Sequence, residues 1–293
     1  MKIPPFDPDA PTFAFAKYDG AGNDFILVSD PDSAFPTAPG GIAALCDRHT
    51  GIGADGLILL RPPSDSVAAD VRMVFFNSDG SPASMCGNGG RCIAAFAHDQ
   101  ECAPANLRLQ TAAGILSATI HSPTLVTLQL PPPSRERLNL ALDFDGQPYV
   151  LHHLDTGVPH AVYFLPDGAT PADLENFPLD TFGPFVRNHP LFAPDGANVD
   201  VVFADSAART LRIRTYERGV EAETLACGTG ATAAALLALR LNLLDPSTDA
   251  PVTVRPRLPT SLSVRVLPDN PSTVFLTGPV HRSFTGTAPN PFC

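Results

Sequence analysis

Two cysteines of the 293-residue chain begin the same short pattern, Cys-Gly-x-Gly, once in each half. The patterns are Cys86-Gly87-Asn88-Gly89 and Cys227-Gly228-Thr229-Gly230, and each precedes a run typical of a helix. The first N–H groups of a helix lack internal partners, and together with the helix dipole they attract anions. A thiol at this place can have its pKa lowered from about 8.5 to between ~3.5 and ~7.5, which makes a thiolate available near neutral pH. Each pattern therefore predicts a base beside a cradle for a carboxylate.

Two such patterns in one chain predict a pair of groups that act on one carbon. Inversion at a Cα needs one group to remove the proton and another to return a proton on the opposite face. A lone cysteine more often packs in a core, but Cys86 and Cys227 both stand before Gly-x-Gly at a predicted strand-to-helix turn. Core packing is kept as the interpretation of the remaining cysteines, Cys46, Cys92, Cys102 and Cys293.

The elements that must position these cysteines follow in the same order in both halves. A strand over Val71–Asn77 leads to the first pattern and a helix over Arg91–His98. A strand over Leu211–Tyr216 leads to the second pattern and a helix that extends to about Leu244. This shared order favours a duplicated domain with a two-fold pseudo-axis.

The rest of the chain is predicted to be mostly short strands. A further helix is predicted over Ile42–Arg48, a linker at Pro131–Pro133, and largely loop with one or two short helices over Pro166–Pro194. The remaining predicted strands are Phe13–Lys17, Phe25–Val28, Leu57–Leu60, Leu107–Gln110, Ile115–Ile120, Leu125–Leu130, Val150–Leu154, Ala161–Leu165, Asn198–Phe203, Val252–Val254, Ser261–Val266 and Thr273–Thr277.

Length, charge and cysteine spacing exclude several classes of protein. The length suits one large or two medium domains, and the net charge of −11 argues against nucleic acid or an anionic membrane as partner. No secretory signal or membrane span is predicted, so the expected location is cytoplasmic, with free thiols. No Cys-x-x-Cys pair occurs, and no metal site is predicted.

The motifs around the two cysteines closely resemble those of the diaminopimelate epimerase family, in order and over almost the whole chain. The matching segments are Lys17–Phe25, Arg48–Gly56, Phe76–Gly80, Met85–Cys92, Pro159-His160, Asn198–Asp200, Arg214–Gly219 and Glu223–Gly230.

The resemblance implies an α/β (α+β) fold of two pseudo-symmetric domains, each a mixed β-sheet or barrel wrapped around a central helix. The N-terminal half would comprise residues 1–129 and 279–293, and the C-terminal half residues 130–278. The implied activity is conversion of LL-diaminopimelate to meso-diaminopimelate, a step that supplies lysine and cell-wall precursors. The resemblance also implies no cofactor, pyridoxal phosphate included, and a homodimer in the cytoplasm.

Roles carried over from the family fall on residues that match its motifs. Cys86 and Cys227 would be the acid/base pair, and His160 and Glu217 would tune their pKa values. The backbone N–H groups that would hold the reacting carboxylate belong to Gly87, Asn88, Gly228 and Thr229. The side chains that would contact the other polar groups of the substrate are Asn23, Asn77, Asn198, Glu217 and Arg218. Taken singly, the asparagines could cap turns, His160 could be a core imidazole, and Glu217 and Arg218 could form a solvated turn.

Two departures from the family pattern bear on the substrate. Val158 stands where the family often has Asn, and Gly56 where it often has Gln. Both replaced side chains would contact substrate, so a racemase or epimerase of the same fold with another amino acid stays open. Two further alternatives are a thiol hydrolase that uses Cys227 with His160, and a non-catalytic anion-binding module.

Overall fold

The computed structural model describes residues 2–64, 68–267 and 269–290, and it divides the chain into two compact units. Unit 1 runs from the N-terminus to Gln129 and takes in the chain from Gly278 onward, whereas unit 2 is Leu130–Thr277. The expectation of core packing for Cys293 falls outside the described residues.

Unit 1 is formed by strands whose buried residues are aliphatic and aromatic, around two helices. In β4, for example, Val71, Met73 and Phe75 are buried and alternate with less buried residues, as expected where one face of a sheet meets a core. Its elements are β1 (Thr12–Gly20), β2 (Asn23–Ser29), α1 (Pro39–Cys46), β3 (Gly56–Arg61), β4 (Val71–Asn77), β5 (Pro82–Ala83), α2 (Gly87–Asp99), β6 (Asn106–Thr111), β7 (Gly114–Ser122) and β8 (Leu125–Leu130).

Unit 2 repeats this series of strands and has two short α-helices and a 3-10 turn at the place of α1. Its elements are β9 (Ser134–Phe144), β10 (Gln147–Asp155), β11 (Pro159–Phe164), α3 (Pro171–Glu175), α4 (Leu179–Arg187), a 3-10 turn (Pro190–Phe192), β12 (Asn198–Asp205), β13 (Thr210–Glu217), β14 (Ala222–Thr224), α5 (Gly228–Arg240), β15 (Val252–Arg255), β16 (Leu262–Leu267) and β17 (Asn270–Pro279). The chain then returns to unit 1 as β18 (His281–Pro289), which pairs with β1.

The strand pairings of the two units are the same. In unit 1 the order is β18-β1-β2-β3-β4-β6-β7-β8, with β2–β3 and β4–β6 parallel and β5 beside β4. In unit 2 it is β9-β10-β11-β12-β13-β15-β16-β17, with β11–β12 and β13–β15 parallel and β14 beside β13. The internal repeat inferred from the sequence is therefore present in the topology.

Each sheet packs around one central helix, α2 in unit 1 and α5 in unit 2. The helix α2 contacts β1, β2, β3, β4 and β7, and α5 contacts β10 to β13, β15 and β16. Residues Gly87–Ala97 of α2 are all buried, and so is nearly all of α5 up to Ala238. A helix that is buried all round is mostly small or apolar, which explains the runs of Gly and Ala, and the buried Asn88 and Arg91 are the polar exceptions in α2. None of the described helices is both long and apolar enough to cross a membrane.

Several predicted element boundaries are wrong for identifiable reasons. The helix predicted to begin at Arg91 begins at Gly87. Helix propensity disfavours glycine, but Gly89 and Gly90 lie within this helix because neighbouring side chains leave no space for a Cβ. The helix expected to reach Leu244 ends at Arg240, and Asn242 follows with a φ of 57° that terminates it. The helix expected over Ile42–Arg48 begins earlier, at Pro39, and ends at Cys46. The strands β9 and β18 were not predicted.

Candidate active site

Cys86 is the residue that caps the N-terminus of α2. Its backbone is extended, with φ −144° and ψ 123°, and its Sγ accepts a hydrogen bond from the Gly89 N–H at 3.4 Å. Among the described residues, no acceptor is bonded to the N–H groups of Gly87 and Asn88. The sulfur therefore lies beside two open donors at the positive end of a helix dipole.

Asn23 is the side chain next to Cys86 in unit 1. The Cys86 thiol donates to Asn23 Oδ1 at 3.5 Å, and Asn23 Nδ2 donates to Asp55 Oδ2 at 2.6 Å. Asp55 in turn accepts from Arg48, which also pairs with Asp24. Burial alone would raise the pKa of Asp24, but hydrogen bonds from Arg48 and Lys17 lower that pKa to about 2. A network of fixed charges thus orients the Asn23 amide toward the cysteine.

Arg91 is a fully buried cation inside α2. Its Nη1 donates to the Gly87 carbonyl at 3.2 Å and its Nη2 to Asn88 Oδ1 at 2.8 Å, while its Nε has no partner among the described atoms. Burial lowers the pKa of Arg91, and the nearby Cys92, Cys86 and Asp19 oppose this by favouring its charge. The guanidinium therefore fixes the first turn of the helix and brings positive charge close to Cys86.

Asn77 and Gly56 are opposite each other where β4 and β3 meet. The Asn77 amide donates to Ser81 Oγ at 3.0 Å. A Cβ at Gly56 would lie 2.5 Å from the Phe76 carbonyl and 2.7 Å from the Phe75 ring. The strand pair therefore has no room for the glutamine that the family often carries at Gly56, which gives this departure a steric reason.

Cys227 caps α5 with the same geometry that Cys86 has on α2. Its φ is −124° and its ψ 113°, and its Sγ accepts from the Gly230 N–H at 3.4 Å. The N–H groups of Gly228 and Thr229 have no acceptor in the described part of the chain. Here the sulfur also lies 3.2 Å from the Thr229 hydroxyl. Each helix N-terminus thus has its own pair of open backbone donors, but the side chains around the two cysteines differ.

His160 lies beneath the Cys227 turn and is fully buried. Its Nδ1 is 2.6 Å from Asp200 Oδ2, and its Nε2 is 2.9 Å from Thr229 Oγ1. The other Asp200 oxygen accepts from the Thr215 hydroxyl at 2.7 Å. Burial by itself lowers the pKa of His160, but the Asp200 carboxylate, assisted by Cys227, raises it to about 10. A chain of polar groups therefore joins Cys227 through Thr229 to a histidine that Asp200 stabilises in its charged form.

Asn198 and Arg218 are joined at one end of the unit 2 sheet. The Arg218 N–H donates to Asn198 Oδ1 at 2.7 Å, and Asn198 Nδ2 lies 3.3 Å from His160 Nε2. The Arg218 guanidinium donates to the Asp195 carbonyl at 3.0 Å. Glu217, half-buried, is the last residue of β13. The predicted residues of this half therefore lie on adjacent strand ends and the following turn.

Most of the predicted site residues come together within their own unit. Asn23, Asn88 and Cys86 form one cluster, whereas Asn77 lies on β4, two strands away from Asn23 on β2, and contacts Ser81. The second cluster is Cys227, Thr229, His160, Asn198, Glu217 and Arg218. Sequence reasoning missed Arg91, Asp55, Asp200 and the Thr229 side chain. All four lie within the segments that carry the family resemblance, which was the signal that could have identified them.

The other described cysteines bear on the expectation of core packing. Cys46 and Cys92 are buried as expected, and burial raises the pKa of the Cys46 thiol to about 12. The expectation is wrong for Cys102, which is exposed because it lies in the turn after α2. None of the five described cysteines forms a disulfide.

The family model described as "Diaminopimelate epimerase" matches residues 15–135 and 153–282. A diaminopimelate epimerase from Aquifex aeolicus (strain VF5) is 38% identical and covers 93% of this chain and 96% of its own length. One from Hydrogenobaculum sp. (strain Y04AAS1) is 37% identical, with 92% and 96% covered.

Solved structures of lower sequence identity share the fold. A hydroxyproline epimerase from Agrobacterium vitis has a TM-score of 0.71 at 16% identity, with 96% of this chain and 93% of that chain covered. A probable proline racemase from Agrobacterium radiobacter K84 has a TM-score of 0.68 at 15% identity, with 93% and 92% covered. This likeness confirms the predicted α/β (α+β) class with two similar halves. Together with the sequence matches over nearly its whole length, it leads to one conclusion: the chain belongs to the diaminopimelate epimerase family.

Proposed function

We propose that this protein converts LL-diaminopimelate to meso-diaminopimelate without a cofactor, with Cys86 and Cys227 as the acid/base pair. In this proposal each unit is one half of the enzyme and carries one of the two cysteines. Family membership supports the substrate and the isomerase activity. The mechanism requires that the two thiols reach opposite faces of the same α-carbon.

One observation carries the proposal: both cysteines cap a buried central helix, and both have open backbone donors beside them. A substrate carboxylate would accept from Gly87, Asn88, Gly228 and Thr229, whose N–H groups lack other acceptors among the described residues. The negative charge that develops when a Cα loses its proton spreads into this carboxylate. Donors that are fixed in place before the reaction would stabilise the transition state without reorganisation.

The Cys227 side has a route for its proton. With His160 neutral, the Cys227 thiol donates to Thr229 Oγ1, and the Thr229 hydroxyl donates to His160 Nε2. Movement of a proton along this chain leaves a Cys227 thiolate and an imidazolium that Asp200 stabilises. This arrangement supports Cys227 as a base that is regenerated within its own unit.

The Cys86 side offers a different support. The Asn23 carbonyl accepts from the Cys86 thiol, which favours its protonated form, while the buried Arg91 charge favours the thiolate. These two influences oppose each other, so neither the thiol nor the thiolate is strongly favoured. A group that acts as an acid in one direction of the reaction and as a base in the other needs both forms to be accessible.

The reaction balances with the two cysteines alone. One thiolate removes the Hα and becomes a thiol, and the electron pair of the broken C–H bond is held by the carbon and its carboxylate. The opposite thiol then gives its proton to the other face and becomes a thiolate. At the end the substrate is inverted and the two sulfurs have exchanged protonation states.

Polar side chains at the strand ends would bind the rest of the substrate. Arg218 suits a second carboxylate, since a guanidinium binds carboxylates through two parallel hydrogen bonds, and Glu217 suits an ammonium group. Asn23, Asn77 and Asn198 would contact the remaining polar atoms. Glu217 and His160 would also adjust the pKa values of the cysteines.

Incubation with LL-diaminopimelate in D₂O tests the proposal. Wild-type protein is expected to yield the meso isomer with solvent deuterium at one α-carbon, measured by NMR and chiral chromatography. Cys86→Ala and Cys227→Ala should each lose turnover by roughly 10²–10⁴-fold, the usual contribution of one general acid/base group.

Cys102→Ala is the matched control, because it removes an exposed thiol of unit 1 outside the site. It should retain full activity. Full activity in either Cys86→Ala or Cys227→Ala would remove that residue from the mechanism. Inversion of another amino acid but not of diaminopimelate would support the two-cysteine mechanism and contradict the proposed substrate. Gly56 and Val158 make this outcome worth testing, because they replace residues that would contact substrate in the family.

The assembly and location are also proposals. We infer a homodimer from the family resemblance, and sedimentation equilibrium tests it. A cytoplasmic location is supported by the free thiols of all five described cysteines, since reducing compartments preserve thiols. Cell fractionation with an antibody would check it.

A further inference from the structure

A cavity of about 390 Å³ in unit 2 is lined by four arginines. Arg212 and Arg214 come from β13, Arg255 from the end of β15, and Arg257 from the segment that follows. Glu175 is the one acidic residue of its lining. The chain as a whole carries a net charge of −11 with only 19 lysines and arginines, so this arginine cluster is a local reversal of its charge.

Two of the four arginines already have partners. Arg214 donates to both oxygens of Glu223 and, through Nη1, to the carbonyls of Leu174, Glu175 and Phe177. Arg257 donates to Glu223 at 3.3 Å. Arg214 therefore serves the fold, and Arg257 keeps most of its donors open.

The guanidinium groups of Arg212 and Arg255 have no hydrogen-bond or ion-pair partner within residues 2–64, 68–267 and 269–290. The two residues are paired directly in the parallel register of β13 and β15, so their side chains leave the same face of the sheet. Like charges directly opposite each other on neighbouring strands destabilise a sheet. An anion bound between them would remove this repulsion.

The size and chemistry of the cavity indicate the class of anion. Guanidinium groups bind phosphate oxygens through paired hydrogen bonds, and three of the four here have donors to spare. At about 390 Å³ the cavity exceeds the space of one phosphate ion and falls in the range of small-molecule sites. We propose that the arginine cluster is a binding site for a small molecule bearing a multivalent phosphate group.

The arginine cluster is separate from the proposed cysteine chemistry but is joined to the same unit through Glu223. Glu223 lies on β14, the strand that leads to Cys227, and the Leu258 N–H donates to the Leu225 carbonyl at 2.9 Å. A substitution at Arg214 or Arg257 would disturb these contacts as well as the cavity. Arg212 and Arg255 are therefore the residues to change.

Isothermal titration of the full-length protein with inorganic pyrophosphate tests the site. The wild type is expected to bind one pyrophosphate per chain in this cavity. In the double variant Arg212→Gln/Arg255→Gln the affinity should fall roughly 100-fold, as expected for two lost hydrogen bonds to a charged group. Raising the ionic strength from about 0.05 M to 0.5 M should weaken wild-type binding, because the arginines are partly exposed to solvent.

Arg265→Gln is the matched control, since it removes a half-exposed arginine of unit 2 that does not line the cavity. It should bind pyrophosphate as the wild type does, and circular dichroism should show all variants folded. Three results would overturn the proposal: no pyrophosphate binding by the wild type, unchanged binding by the folded double variant, or equal loss in Arg265→Gln. Equally tight binding of citrate would overturn the assignment to phosphate.

Discussion

The two units use one backbone plan but fill the space beneath the cysteine turn with opposite kinds of side chain. Strand register makes His160 of unit 2 equivalent to Phe25 of unit 1, and Asp200 equivalent to Ile58. In unit 2 these positions form a buried histidine–carboxylate pair. In unit 1 they are apolar, and Phe25 packs edge-on against Phe75 with ring centroids 5.9 Å apart.

The glycines that end the two cysteine patterns, Gly89 and Gly230, pack against these same positions, an apolar side chain in unit 1 and a carboxylate in unit 2. A Cβ at Gly89 would lie 2.9 Å from the Ile58 side chain, whereas one at Gly230 would lie 2.5 Å from the Asp200 carboxylate. Both glycines therefore allow a helix to approach the sheet closely. The close approach is shared, and only the chemistry of the surface approached has diverged.

Positive charge reaches the two sulfurs from different directions. In unit 1 it comes from within the helix, where Arg91 binds the Gly87 carbonyl. At the equivalent position of unit 2 the Thr232 hydroxyl binds the Gly228 carbonyl at 2.8 Å. There the charge is on His160, on the sheet. The repeat therefore fixes where each cysteine lies, while side chains outside the repeat pattern fix its electrostatic surroundings.

Asp200→Asn should have the largest effect on stability. Removing one partner of a buried pair leaves the other unpaired, at a cost of about 3–5 kcal/mol in the free energy of unfolding. Urea denaturation measures this. The matched change in unit 1, Ile58→Val, should cost only about 0.5–1.5 kcal/mol. Similar losses in the two variants would contradict the comparison.

The same pair predicts how the stability difference varies with pH. The folded-state pKa of His160, raised by Asp200 to about 10, exceeds its unfolded value, so its contribution is fully present below about pH 6.5. That contribution is lost as pH rises toward 10. The difference in unfolding free energy between wild type and Asp200→Asn should therefore shrink from pH 6 to pH 10. A constant difference over this range would show that His160 stays neutral.

Arg91→Met should reduce activity more than stability. Loss of the guanidinium frees the Asn88 side chain and the first turn of α2, and a misplacement of about 1 Å at a reacting centre can cost ~100-fold in rate. Turnover of diaminopimelate and the melting temperature would be measured together. The unit 2 counterpart, Thr232→Ala, should have a much smaller effect on turnover. Equal losses of turnover in the two variants would show that the buried charge of Arg91 contributes no more to activity than the Thr232 hydroxyl.

Gly56→Ala tests whether unit 1 can accept a side chain where unit 2 has Asn198. The added Cβ would meet the Phe76 backbone carbonyl at 2.5 Å, so overpacking should cost about 1–3 kcal/mol in unfolding free energy. Gly40→Ala is the control, because a Cβ there meets nothing within 4 Å. A Gly56→Ala protein as stable as Gly40→Ala would show that the strand pair can open.

Thr229→Val should have the smallest effect. It keeps the shape of the side chain but breaks the path between Cys227 and His160, so turnover should fall roughly tenfold, as for one lost hydrogen bond. Thr229→Ser keeps the hydroxyl and should retain most activity. If both variants were equally active, the hydroxyl would have no part in proton movement. The pH–rate profile would separate this role from simple packing.

The sequence identified most strands that carry a run of buried apolar residues. The core strand β3 was predicted because nearly every residue in it is buried and apolar, and β12 because of its buried valines, Val199, Val201 and Val202. The strand β18 is almost wholly exposed, so no alternation marked it. The strand β9 does alternate, with Leu138, Leu140, Leu142 and Phe144, and this pattern was overlooked. Both form their pairs because a neighbouring strand offers its edge, which is not visible in the local sequence.

The sequence by itself determined that two cysteines stand at the starts of two helices, because each Cys-Gly-x-Gly lies between a strand-like run and a helical run in the same order. It also determined the repeat and the family. Only the tertiary structure decided that Asp200 would stabilise a charged His160, that Arg91 would be buried with no carboxylate bonded to it among the described residues, and that Arg212 and Arg255 would be neighbours. Each of these depends on strand register or on packing between distant segments, and such contacts leave no periodicity in the chain.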